Sequence, residues 1–584
     1  MHALGLDSET SGFGVFGVGD KKDRVRLIQI GDANAGWAFA RDDWLGLLKD
    51  VVEKWDGDWI LHNATFDALF FDVDCGVHIP RQKIRDTMVR SRINEPHMSM
   101  ALKQQAARHI DPAAAGLQAE LAGTKWTWAN VPIDYAPYWT YGALDPVLTY
   151  RLEEFHKPIT DAEAPDAFEL EMAVLWVVEK MRRYGAHVDR PGARQKLVQF
   201  NEYVKSVERW CQDEYGVKPG SNAAIISILE DAGFEFTATT KSGAIALDKE
   251  VLEGIDHPLA QAVLGRRQAQ KMASTYLRFY TEEADYDDLL HPSFNTLGAK
   301  TGRMSCSDPN LQNLPRLGTS RTGDSVRNCF TSRYIDPDLL PQFDEKFTVE
   351  DAMKHGSLIM CDYSQIEMRM LAHFAQEEGM IKAFQSDGDF FVNLARQIYQ
   401  DDTITKKDKR RQVTKNAGYA KIYFAGLAKF AATAGITTVA AKDFLNRFDT
   451  MYPGVSQFQN GILQTAMNRK MTEGLAYARS PLTGRKYVAD DRAEYKLINY
   501  LIQGCAAEVN KMKLVELDNA GIGDYMYATI HDEVLLDAPP GMAVDIVNTL
   551  EAIMNDDKMF APLPIEAEAS FAHRWGMKKD WVHA

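Results

Sequence analysis

Cysteine is scarce in this chain and falls into no pairing pattern. Cys75, Cys211, Cys306, Cys329, Cys361 and Cys505 include no CxxC pair. A disulfide framework or zinc ribbon is therefore excluded, and the thiols read as small core residues of a reduced, intracellular protein. No apolar run approaches the roughly 18 residues that a membrane-spanning helix needs. Asp7 and Glu9 precede any apolar run, so no signal peptide is expected. The dipeptide Gly-Lys does not occur, which removes a P-loop and with it a helicase-type ATPase. Repeats and low-complexity tracts are also missing. Positive charge is in deficit, with 66 Lys and Arg against 82 Asp and Glu, a net −16. As a global sum this argues against nucleic-acid binding. Locally it reverses: Thr403–Phe430 carries eight basic residues and one acid, and Gly298–Arg333 carries six and two.

What is present is an ordinary globular balance, 45% hydrophobic and 25% charged, over 584 residues. That length predicts about three to four core-forming units. Residues 1–155 alternate β-like segments (HALGLD, VRLIQIGD, DWILHN) with helical patterns, an α/β reading. Residues 156–168, polar and holding two prolines, read as a linker. A helix follows and ends at Gly185. Residues 190–290 and 380–475 read as mainly helical, and MYATIHDEVLLDAP as strand, turn, strand.

Carboxylates cluster by spacing at the start. Asp7 and Glu9 lie two apart on a strand and share a face. Asn63 and Asp67 lie four apart, as do Tyr141 and Asp145 on a predicted helix. Any one pair is an ordinary solvated strand end or helix face. Gathered together, four carboxylates stay ionised only with cations, and two divalent metals on such oxygens suit phosphodiester hydrolysis. Tyr141 would orient the water.

The second half holds four informative stretches: KTGRMSCSDPNLQNLPR (300–316), LIMCDYSQIEMRMLAHF (358–374), RQVTKNAGYAKIY (411–423) and HDE (531–533). Arg411, Lys415 and Tyr419 share one helical face, two cations and an aromatic suited to a triphosphate and a stacked base. Asp362 and Asp532 end two apolar strands and, brought together, would form a two-metal clamp. Arg303, Asn310, Gln312 and Asn313 suit the hydrogen-bond acceptors present at every minor-groove base pair. A second Thr-Gly-Arg at 483–485 lacks the downstream DPNLQN and reads as a turn only.

Two resemblances gather these readings. DSE, NxxxD and YxxxD, in order, resemble the DEDDy 3′→5′ exonucleases, the proofreading domains of DNA polymerases. DYSQIE, RxxxKxxxYxxxY, TGR…DPNLQN, INxxxQG (498–504) and HDE resemble family A DNA polymerases, over nearly the whole chain. The resemblance implies a multidomain α/β protein. An RNase H-like exonuclease would span 1–157 and a right-hand polymerase 158–584, with the thumb at about 190–290, the palm at about 291–380 and 490–584, and the fingers at about 381–489. It implies exonuclease roles for Asp7, Glu9, Asp67, Tyr141 and Asp145 with two divalent metals (Mg2+, Mn2+ or Zn2+). In the polymerase, two Mg2+ or Mn2+ would sit on Asp362 and Asp532, with Glu533 in support. Arg411 and Lys415 would bind the triphosphate, Lys415 also acting as general acid, and Tyr419 would stack on the base. Glu367, bonded to Tyr423, would exclude a ribose 2′-OH, with Gln365 also at the nucleotide. Arg303, Asn310, Gln312, Asn313, Asn499, Gln503 and His531 would contact primer–template DNA.

Three positions depart from the family pattern: Phe391 replaces a phosphate-binding His, Tyr495 an Arg, and Phe424 a Gly. Partners implied are primer–template DNA and dNTPs, with a helicase–primase and a single-strand binding protein beyond them. The expected form is a monomer in the bacterial host cytoplasm, away from membranes. The chain starts at the exonuclease with no 5′-nuclease ahead of it, which points to a phage-type enzyme. The short 257–280 segment predicts no thioredoxin dependence. A single-subunit RNA polymerase is disfavoured by Glu367, and a non-catalytic DNA-binding scaffold by the full set of acids.

Overall fold

In the computed structural model, residues 2–582 are described, apart from 18–21, 117–123, 237, 241–242, 316–325, 387 and 557. Arg316, the last residue of the 300–316 stretch, lies outside them. The N-terminal apolar segments become a five-stranded sheet of β1 (Ala3–Thr10), β2 (Val25–Gly31), β3 (Gly36–Ala40), β4 (Asp58–Leu61) and β5 (Ile84–Asp86). Its order is β3-β2-β1-β4-β5, antiparallel across the first three and parallel from β1 to β5. Helices α1 (Arg41–Lys54), α2 (Ala64–Val73), α3 (Thr87–Asn94), α4 (Leu102–His109) and α5 (Ala136–Glu163) complete this unit. Gly5 and Gly36 let α5 lie directly on the sheet. A Cβ at either glycine would collide with the α5 backbone, at Pro146 and Ala143 respectively. That close approach is what carries the middle of α5 over β1.

The linker expected at 156–168 is instead helical. Helix α5 continues to Glu163 and, after the single residue Ala164, α6 (Pro165–Tyr184) starts. Pro165 sits in the first turn, where no amide hydrogen is required. His156, Thr160, Ala164 and Phe168 are buried, so the polar texture of the segment is only its solvent face. Helix α6 then wedges between two cores. Phe168, Met172 and Leu175 pack with the N-terminal unit, while Val174, Val177 and Met181 pack with the rest of the chain. Gly185 ends it with φ 72, as its position in the sequence predicts.

A helical unit follows, built on α7 (Arg190–Tyr215), α8 (Pro258–Lys271) and α9 (Arg278–Glu283), with its own small core of Val207, Cys211, Ile225, Leu229, Leu259 and Val263. Next come β6 (Ser357–Tyr363), α10 (Ile366–Phe374), α11 (Phe390–Tyr399), α12 (Lys409–Ile422), the short hairpin β7 (Tyr477–Arg479) and β8 (Lys486–Val488), and α13 (Lys496–Asn519). Strands β9 (Met526–Ile530), β10 (Glu533–Ala538), β11 (Ala567–Ala572) and β12 (Lys579–Asp580) close the chain. The second sheet runs β9-β10-β6-β11-β12 and is antiparallel throughout. All six cysteines are free and buried.

The second Thr-Gly-Arg is more than a turn. Gly484 makes the turn with φ 75, but the Arg485 side chain is buried and pairs with Glu171 of α6. Lys511 of α13 reaches the same carboxylate at 2.5 Å. Glu171 is thereby held ionised in a fully buried setting, its pKa lowered on balance by the two cations against the cost of burial. This group ties the inter-unit helix to the second sheet's supporting helix.

Candidate active sites

The first site forms where β1, α2, α4 and α5 meet. Asp7 and Glu9 project from one face of β1. Single oxygens of Asp7, Glu9 and Asp145 lie within 4.8 Å of one another. Asp67, buried on α2, accepts a hydrogen bond from Ser8 Oγ at 2.6 Å. Helix α2 is aimed by Asp86. Its carboxylate accepts the amides of Asn63 and Ala64 at the start of α2, and of Met88 and Val89 at the start of α3. Asn63, the first residue of the NxxxD pair, therefore serves as a left-handed helix entry with φ 71.

The electrostatics fit a cation site. Burial raises the Asp7 carboxyl to about 7. Burial and then the neighbouring Asp7 raise Glu9 to about 8. Asp67 is pushed well above its ordinary range, first by burial and next by Asp7. Lys103 of α4 enters this cluster, paired with Asp145 and with its Nζ 4.1 Å from the Tyr141 ring centroid. Burial lowers its pKa to about 8. Neither Lys103 nor Asp86 belongs to a readable sequence pattern: Lys103 is one more lysine on a short polar helix.

A divalent cation bound here would compete with protons. The contribution of Asp7 and Glu9 to folding declines as pH rises from the usual carboxylate range toward about 7 and 8, because the folded state keeps protons that the unfolded state has released. Mg2+ is expected to raise the thermal midpoint more near about pH 8 than near about pH 5. Equal shifts at both values would show that these acids do not bind it.

The second site forms where β6 and the β9–β10 hairpin meet. Asp362 pairs across the ladder with Glu533, and the Tyr363 amide donates to the Asp532 carbonyl at 3.4 Å. His531 and Asp532 are the two turn residues, His531 taking φ 59. Glu533 is buried and accepts from Lys578 at 3.3 Å. Arg303 lies between two acids, 2.5 Å from Glu367 and 3.8 Å from Asp532. Glu367 also accepts from Tyr423 Oη at 2.8 Å, and Gln503 donates to that hydroxyl at 3.2 Å. Burial raises the pKa values of Glu367 and Asp532, with Arg303 opposing in each case.

Helix α12 supplies the opposite wall. Tyr419 is pushed to about 12, chiefly by burial and then by the charges of Glu367 and Asp532, with Asp362 also within reach. Arg411 is paired with Asp389 at 2.5 Å, and Lys415 lies between Arg411 and Tyr419 on their shared face. Phe391 is buried, its ring centroid 5.9 Å from that of Tyr419 and 6.0 Å from the Arg411 guanidinium carbon. Phe424 takes φ 52, a left-handed geometry that favours glycine, so this side chain sits at a backbone position of real strain. Gln365 opens α10, also left-handed at φ 59.

The remaining amides are distributed around this wall. Asn310 caps a short turn by accepting the Asn313 amide at 3.1 Å, and the Asn313 carbonyl accepts from Tyr276 Oη. Gln312 donates to the Thr529 carbonyl at 3.3 Å. A small cavity is lined by Arg303, Gln312, Asn510, Lys511 and His531. Asn499 lies on α13, its Oδ1 buried with no hydrogen-bond partner among the described residues. Tyr495 stands exposed at the start of α13.

Comparison with known proteins decides the family. The model for "DNA polymerase family A" matches residues 193–577, and that for "3′-5′ exonuclease" matches 1–158. The chain belongs to DNA polymerase family A. It is a template-directed DNA polymerase with a 3′→5′ proofreading exonuclease. The DNA polymerase of Mycobacterium phage D29 is 26% identical over 567 residues, 92% of this chain and 87% of the relative. That of Mycobacterium phage L5 is 24% identical, covering 93% and 88%. DNA polymerase I of Streptococcus pneumoniae is 26% identical over 74% of this chain and 48% of its own length. A solved structure, the POL domain of Pol1 from M. smegmatis in complex with DNA primer-template and dNTP, superposes with a TM-score of 0.75 at 20% identity, over 98% of this chain and 95% of that one. The polymerase thus has the exonuclease-plus-right-hand architecture. Among the described residues no helix is long and apolar enough to cross a membrane.

Proposed function

We propose that this polymerase replicates phage DNA in a bacterial cytoplasm, with 1–157 trimming and 158–584 extending the primer. In that second unit the thumb lies at about 190–290, the fingers at about 381–489 and the palm on either side. The convergence that carries the site assignment is geometric: Arg303 reaches both Glu367 of α10 and Asp532 of the hairpin turn, and Tyr423, next after α12, bonds the same Glu367. Asp362 and Asp532 hold Mg2+ or Mn2+, which when bound supply charge to ionise the primer 3′-hydroxyl and stabilise departing pyrophosphate. Glu533, paired with Lys578, supports the hairpin tip. Arg411 leaves Asp389 for the triphosphate, and Lys415 beside it donates a proton to the leaving group. Tyr419 stacks on the incoming base, Glu367 and Tyr423 close the space a 2′-OH would need, and Gln365 lines the same pocket. Arg303, Asn310, Gln312, Asn313, Asn499, Gln503 and His531 track the primer–template minor groove. In the trimming site Asp7, Glu9, Asp67 and Asp145 hold divalent metal and Tyr141 orients water. The phage reading is supported by the match to phage relatives over most of their length.

Primer extension with all four dNTPs, repeated with ddNTPs, tests the assignment. Efficient termination by ddNTPs is expected, and Tyr419→Phe is expected to restore discrimination by at least about tenfold, or about 1.4 kcal/mol. Equal ddNTP use by both proteins would remove Tyr419 from the nucleotide site.

A further inference from the structure

Away from both active sites, the exonuclease unit holds a second set of metal-ligating groups. Glu95 follows the last residue of α3, His109 is the last residue of α4, and His156 faces inward from α5. One donor atom from each lies within 4.8 Å of the others. The two imidazoles are already oriented. His109 Nε2 lies 2.9 Å from Glu95 Oε2, and its ring stacks on Phe155 with centroids 4.1 Å apart. The His156 ring is edge-on to His109 at 5.3 Å. It is fully buried. Its nitrogens face Asn94 Nδ2 and Gln105 Oε1, each at 3.2 Å. One amide would yield to a metal and the other would keep the ring in place. Glu95 also accepts from Arg108 at 3.1 Å.

We propose that Glu95, His109 and His156 form a Zn2+ site that clamps α3, α4 and α5 together. Two imidazoles and one carboxylate are a donor set of borderline softness that suits Zn2+, with a fourth position left for water. Tetrahedral Zn2+ with bonds of about 2.0–2.1 Å needs donors roughly 3.4 Å apart. The donors, all within 4.8 Å of one another, would reach that spacing by side-chain rotation. The consequence is positional. Helix α4 carries Lys103 and α5 carries Tyr141 and Asp145, so the clamp fixes the spacing of the two helices that meet at the trimming site.

The test uses full-length protein carrying Asp7→Ala and Asp362→Ala, which silence the two oxygen-donor sites. After dialysis against Zn2+ and then metal-free buffer, one Zn2+ per chain is expected to remain. His109→Ala and His156→Gln should each lose it, with circular dichroism verifying the fold. Co2+ in the parent protein should show imidazole nitrogen coupling by electron-spin resonance, a readout that holds even where a variant misfolds. No retained Zn2+ in the parent, retention by either variant equal to the parent's, or Co2+ without nitrogen coupling would each overturn the site.

Discussion

Asp532→Ala is expected to abolish primer extension while 3′ trimming persists. Asp532 sits at the tip of a two-residue turn, beside Asp362 through the Tyr363 amide and facing Arg303. Removing it takes away one of two acids able to hold metal at the primer end. A metal site contributes several kcal/mol of transition-state stabilisation. At ~1.4 kcal/mol per tenfold, a loss of about 4 kcal/mol lowers the rate roughly a thousandfold. The fold should survive, since Arg303 keeps Glu367 and the hairpin arms are buried strands. Asp362→Ala should act alike. Single-turnover extension on a matched primer, beside trimming of a mismatched one, reads both activities. A fall below about tenfold would overturn the assignment.

Asp7→Ala should do the reverse, abolishing trimming of a mismatched 3′ end by a comparable factor and sparing extension. The reasoning differs, because Asp7 belongs to a set of like charges. Its loss removes a repulsion that raises both Glu9 and Asp67. Without metal the variant is therefore expected to be at least as heat-stable as the parent, which separates lost chemistry from lost structure. Trimming that persists within about tenfold would mean that Glu9, Asp67 and Asp145 suffice. A lower thermal midpoint in EDTA would mean that Asp7 is structural.

What the sequence determined by itself is what lies within a few residues of itself. Period two put Asp7 and Glu9 on one strand face, and period four put Tyr141 with Asp145 and aligned Arg411, Lys415 and Tyr419, all of which hold in three dimensions. Apolar arms around His531 and Asp532 were enough to place a hairpin with acids at its tip. The 156–168 segment misled because its burial is carried by a His, a Thr and two small or aromatic residues beneath an acidic face, a stripe that hydropathy does not register. Only the tertiary structure decided which distant groups meet. Glycines let α5 lie against the sheet, which brings Asp145 to the carboxylate cluster, and Lys103 of α4 pairs with it there. Glu171 gathers Arg485 and Lys511 from over three hundred residues downstream. Arg303 turns toward Glu367 and Asp532 through contacts that no spacing encodes. Local periodicity follows from backbone geometry alone. Charge pairing across a core follows from burial, which only the folded chain creates.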